Sequence, residues 1–111
     1  MMVVFFDPGQ MTARLLLEEP VSIPDGQGGA TVNWTETAAM WAKVEPVSSS
    51  LAERAGAEIG TITHRIWLRF RSDISAGQRL RKGARLFAVK LVQDPDETGR
   101  YLTCLCEEGA G

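Results

Sequence analysis

The chain has 111 residues, 44% hydrophobic and 23% charged, with a formal net charge of -2. That length makes one domain, burying roughly two thirds of its unfolded surface in a thin two-layer or barrel core, and the composition excludes a disordered or fibrous chain. No apolar run approaches the roughly twenty residues that a membrane-crossing helix needs, so no membrane partner is expected.

Residues 1–13 read as an N-terminal extension or an edge strand. Val3-Val4-Phe5-Phe6 is apolar but lacks the basic leader and the length of a secretion signal, and Met11 is a second possible start. Arg14 to Ile23 alternates as a first strand, with Leu15 and Leu17 on one side and Leu16 and Glu18 on the other, and Pro20 suits an edge. Pro24 to Gly29 is a glycine-rich turn, after which Ala30 to Thr35 returns as a second strand bearing Val32 and Trp34. A third strand, Met40 to Val47, sets Ala42, Val44 and Pro46 against Trp41, Lys43 and Glu45. The Ser48 to Gly60 segment has helix formers behind a serine cap but also Gly56 and Gly60, which predicts one short helix or a mobile loop.

The longest alternation spans Thr61 to Arg71. Ile62, His64, Ile66, Leu68 and Phe70 share one face, and Thr63, Arg65, Trp67, Arg69 and Arg71 the other, because side chains of a strand point alternately to opposite sides. The first face wants a core, so truncating Phe70 is expected to cost about 3–5 kcal/mol and truncating Arg69 less than about 1 kcal/mol. Beyond the Ser72 to Gln78 loop, Arg79-Leu80-Arg81 and Arg85 to Val92 flank a Gly83 turn as a hairpin, with Phe87, Val89 and Leu91 in one apolar row. Asp94 to Gly99 is a further turn, Tyr101 to Cys106 a final strand, and residues 109–111 a tail. The pattern predicts a mainly β fold, a small antiparallel β-barrel or sandwich of about six strands.

Charge is segregated along the chain. Arg65 to Lys90 holds eight basic residues and one acid, for +7, while the remainder holds four basic residues and thirteen acids, for -9. A subunit of this kind can offer acid to one neighbour and base to another, with Glu18, Glu19, Glu36 and Glu45 as candidate acids and Arg65, Trp67, Arg69 and Arg71 as the candidate basic and aromatic face. The same face has the composition of a single-strand nucleic-acid surface, which leaves an oligonucleotide-binding β-barrel as an alternative.

Catalytic and cofactor chemistry finds no pattern. His64 stands without a nucleophile in a recognisable motif, and the Gly26 to Gly29 turn lacks the Lys-Ser/Thr of a phosphate loop. Asp94, Asp96 and Glu97 lack the distal carboxylate of a calcium loop. Cys104 and Cys106, one residue apart on a strand, point the same way about 6.8 Å apart, which suits buried reduced thiols better than a disulfide or a zinc site. The chain is therefore expected to be no enzyme and to carry no metal or cofactor.

Several motifs occur in a fixed order: Gly28-Gly29 before a strand with Trp34, then Trp41-Ala42-Lys43-Val44-Glu45-Pro46, a short Ser/Ala/Glu/Arg segment, Thr63-His64-Arg65-Ile66 running on to Asp73-Ile74, Arg85-Leu86-Phe87, Asp94-Pro95-Asp96-Glu97, and Leu105-Cys106-Glu107-Glu108. This order resembles the phage head-tail joining family, also called head closure or stopper proteins, which has relatives in gene transfer agents. The resemblance covers residues 14–108, read as a single β domain of head-tail joining type. It implies a virion protein assembled in the host bacterial cytoplasm that forms a ring of about six or twelve copies; exposed ion pairs are individually weak, so the free chain is expected to be a monomer. It further implies that the ring sits below a portal or adaptor protein, retains packaged double-stranded DNA without sequence specificity, and receives a tail protein. Loops of this family reach into the ring or onto a neighbour, which makes Ser49, Leu51, Glu53, Arg54 and Glu58 candidates for a mobile channel loop. A tail-completion ring protein is a related alternative.

Overall fold

Period-two patterning produces six strands: β1 (Ala13–Pro24), β2 (Ala30–Pro46), β3 (His64–Arg69), β4 (Arg79–Lys82), β5 (Arg85–Gln93) and β6 (Tyr101–Gly109), preceded by a 3-10 turn at Pro8–Gln10. The computed structural model describes residues 6–47 and 61–109. The predicted helix or loop at 48–60, with Ser49, Leu51, Glu53, Arg54 and Glu58, lies outside them. Every pairing is antiparallel, and the order β1-β2-β3-β6-β5-β4 closes on itself when β4 pairs with β1. Of the two architectures expected, the sheet is therefore the closed one. Closure leaves no unpaired edge within the ring, and the interior is filled by side chains alone.

Leu15 and Leu17 from β1, Ala42 from β2, Ile66 and Leu68 from β3, Leu80 from β4, Phe87 from β5 and Cys104 and Cys106 from β6 form that interior, all fully buried. Both cysteines are free and share the inward face, as their spacing requires. Burial pushes the Cys104 thiol up to about 12 and the Cys106 thiol higher still, so both stay protonated and unreactive.

Two bulges correct the predicted layout. The second and third predicted strands are one 17-residue strand, β2, because Thr37 is an extra residue opposite the Leu17/Glu18 step and its hydroxyl donates to the Leu17 carbonyl at 3.4 Å. In β5, Lys90 is extra between Val89 and Leu91. That bulge breaks the expected row: Phe87 and Val89 face inward, Val92 takes the next inward place, and Leu91 is turned beside Leu105. A third correction concerns the Thr61 to Arg71 alternation, whose paired part is only His64–Arg69. Ile62, Ile66 and Leu68 are buried as expected, but Phe70 lies beyond the strand and is 50% exposed. Its backbone N–H donates to the Arg100 carbonyl at 3.0 Å, so the chain has left the β2 ladder where the phenyl ring departs from the core.

Beyond the β2 bulge, the outer halves of β1 and β2 run on together past the barrel as a two-stranded arm. Its tip is a turn in which the Asp25 carboxylate accepts from the Gln27 and Gly29 N–H groups at 2.7 and 3.1 Å. Gly26 and Gly28 adopt left-handed φ of 79° and 85° there, a conformation that most side chains resist. The arm explains the elongated envelope of 53 × 30 × 25 Å.

The register makes a stability test. Leu68→Ala empties a fully buried site and should cost about 2–5 kcal/mol, whereas Phe70→Ala should cost roughly 1 kcal/mol or less, measured by denaturant unfolding. Equal losses would put the Phe70 ring in the core.

Candidate assembly interface

The outer face of β3 is organised by a carboxylate from β2. Glu45 pairs in register with Arg65, and its Oε1 accepts from Arg65 Nε and from the Trp67 indole N–H, each at 2.8 Å. Lys43 Nζ stands 3.4 Å from Glu45 Oε2. Arg65 also lies over the Trp67 ring at 5.6 Å, and Phe6 stacks on that ring at 4.7 Å. Burial would push the Glu45 carboxyl up, but the indole bond and the Arg65 and Lys43 charges outweigh it and hold the group below its ordinary value. The sequence was right to place Arg65 and Trp67 on one face; their engagement by Glu45 of the same chain was not legible without the β2–β3 register.

A second cluster lies at the seam where β4 closes on β1. Glu18 is buried, with Arg79 Nε at 2.6 Å from Oε1 and Arg81 Nε at 3.0 Å from Oε2. Arg79 in turn lies 4.2 Å over the Trp34 ring of the arm. Desolvation raises the Glu18 carboxyl, and the two arginines more than reverse this, leaving it lowered. Sequence reasoning offered Glu18 as an acid for a neighbour and did not single out Arg79, Arg81 or Trp34. The three-pair seam brings these residues together from some sixty positions apart.

The remaining candidates divide by their partners. Glu19 accepts from the Gln78 amide at 2.9 Å, and Arg71 forms a two-point pair with Asp73 at 2.7 and 2.9 Å. Arg69 and Glu36 are exposed and make no ion pair among the described residues. His64 is structural in its surroundings: its Nδ1 meets the Thr63 hydroxyl at 2.9 Å and its ring meets Phe87 edge-on. Glu108 is held by Arg85 at 2.8 and 3.1 Å, which lowers its carboxyl. In the acidic turn, Asp96 accepts from the Thr98 hydroxyl at 2.6 Å and pairs with Arg100 at 2.9 Å, so its carboxylate is committed to the protein. Among the described residues no cluster of His, Cys, Asp and Glu could hold a metal ion.

These features sit on a scaffold that matches known proteins over nearly its full length. A family model described as phage head completion protein matches residues 6–109. Head completion protein gp7 of Enterobacteria phage HK97 is 30% identical over 112 residues, covering 94% of this chain and 97% of that protein. The solution structure of protein SF1141 from Shigella flexneri 2a is similar with a TM-score of 0.73 and 31% identity, over 95% of this chain and 98% of that one. A chain in the virion of a native gene transfer agent particle is similar with a TM-score of 0.62 and 34% identity, over 90% and 96%.

Glu18 and Glu45, whose carboxyls are lowered while partly or largely buried, are expected to weaken the fold in acid, with smaller contributions from the more exposed Asp73 and Glu108. Glu18 and Glu45 each contribute stability that is complete above the ordinary value of 4.5 and is lost as pH falls through the lower folded value. Melting temperature should therefore hold from neutrality to about pH 5 and decline below about pH 4.5. Glu18→Gln should cost about 2–3 kcal/mol at neutral pH, since two arginines lose a charged acceptor, and should flatten part of the acid decline. A decline unchanged in the variant would remove Glu18 from this role.

Proposed function

The chain belongs to the phage head completion protein family, and from that membership we propose that it is a ring-forming subunit of the head-tail connector. It is a structural component of a phage or gene transfer agent particle and assembles with other virion proteins. In the proposed arrangement the ring lies below the portal or adaptor, retains packaged double-stranded DNA without reading its sequence, and presents the surface that the tail joins. Copies of this chain are its lateral partners, and assembly takes place in the host cytoplasm. The segment 48–60, with Ser49, Leu51, Glu53, Arg54 and Glu58, is the part proposed to reach toward the channel.

The observation that carries this reading is the match along residues 6–109, joined to the likeness with a chain of a gene transfer agent virion. Physical features agree with it. A closed barrel is a rigid body that needs no cofactor to hold its shape, and the projecting arm gives it reach toward a neighbour. The outer face of β3, with Arg65, Trp67 and Arg69, is a proposed contact surface, its charge partly offset by Glu45. The oligonucleotide-binding alternative needs an open aromatic platform, and on β3 the Trp67 ring is already stacked by Phe6.

Deleting this chain from a particle-producing strain should yield heads that package DNA, then lose it, and carry no tails, as counted by electron microscopy and by nuclease-resistant DNA. Supplying the intact chain should restore both. Tailed, DNA-filled particles made without it would refute the proposal.

A further inference from the structure

The arm and the barrel wall carry complementary exposed surfaces. On the arm, Val32 is 57% exposed and shares the outward face with Glu36, four residues further along β2 and without an ion pair among the described residues. On the barrel wall, Met11, Trp41 and Phe70 line a slot of about 260 Å³, with Arg14 and Arg69 at its rim. Trp41 and Phe70 are 54% and 50% exposed, an unusual state for two large aromatics on so small a domain. Arg14 lies over the Trp41 ring at 5.3 Å and Arg69 has no ion pair among the described residues, so both rim charges remain available to a carboxylate.

We propose that the arm of one copy docks in this slot on the next copy, with Val32 seated against Trp41 and Phe70 and Glu36 facing Arg69. A copy cannot satisfy its own slot. Val32 and Trp41 lie on the same continuous strand nine residues apart, which sets them about 30 Å from each other. The contact is therefore between copies and uses two different patches, the heterologous kind that propagates around a ring. Charge complementarity and the matched apolar groups select a second copy of this chain as the occupant. One valine anchor and one or two rim pairs hold weakly in free solution and become sufficient where a template raises the local concentration of subunits. For its setting in the particle the inference rests on the connector reading above; the contact itself does not.

Charge reversal tests it. In sedimentation velocity at low salt and up to roughly millimolar protein, Arg69→Glu and Glu36→Lys should each weaken self-association about tenfold, and one chain carrying both should recover it. Thermal melts establish that all three variants fold. In addition, Val32→Cys mixed with Phe70→Cys under an added mild oxidant should cross-link with each other in preference to themselves, since the native thiols are buried. Failure of the double variant to recover, together with no preferential cross-link, overturns the proposal. Loss of retention of a DNA duplex in Arg69→Glu that the double variant does not restore would assign the slot to nucleic acid and also overturns it. If recovery and cross-linking both occur but Arg69→Glu enters particles at the normal level, the contact stands between free copies and its place in the ring is overturned, while the connector reading is judged separately by the deletion.

Discussion

Closure of the sheet rests on a short seam. β4 meets β1 over only three residue pairs, Leu16 with Arg81, Leu17 with Leu80 and Glu18 with Arg79, and without them the sheet is an open one with two exposed edges. Leu17 and Leu80 meet on the inward side, while Glu18 draws Arg79 and Arg81 together on the outward side. A buried carboxylate with two guanidinium partners in register is a demanding arrangement, and its desolvation is offset only while both arginines stay in place. The seam also lies at the bulge where β1 and β2 leave the barrel. The same few residues thus hold the ring closed and fix where the arm begins.

The segregation of charge along the sequence largely disappears in the fold. Antiparallel pairing of distant strands sets acids from outside the Arg65 to Lys90 segment against basic residues within it: Glu18 with Arg79 and Arg81, Glu45 with Arg65, Glu107 with Lys90, Glu108 with Arg85. Several of these pairs are well exposed and add little stability individually. Their effect is on specificity, because a charge that has a partner in its own chain offers less to a neighbour. Arg14, Arg69 and Glu36 are among the charges left without an ion pair among the described residues, and they are the ones that stand beside exposed apolar side chains.

The bulges at Thr37 and Lys90 show how single extra residues redirect a surface. Each reverses which side chains face inward from that point on. At Thr37 the reversal keeps Val32 and Trp34 on the outer side of the arm, where Arg79 can cover Trp34. At Lys90 it brings Val92 into the core and releases Leu91 from it.

Alternation of apolar and polar residues determined the strand content, the antiparallel class, and the inward placing of Leu15, Leu17, Ile66, Leu68 and both cysteines, because a strand's two faces are set by a period of two that needs no partner to be read. The order of motifs from the Gly28 turn to Glu108 was likewise legible and pointed to the family that the chain belongs to. Tertiary structure alone decided three things. It decided closure over a sandwich, since pairing of β4 with β1 joins segments about sixty residues apart. It decided the faces beyond each bulge, because an extra residue is defined only against the strand opposite. And it decided that Phe70 stands outside the core, because a strand ends where its partner stops pairing, and β2 pairs with β3 only from Pro46 opposite His64 to Ala42 opposite Leu68.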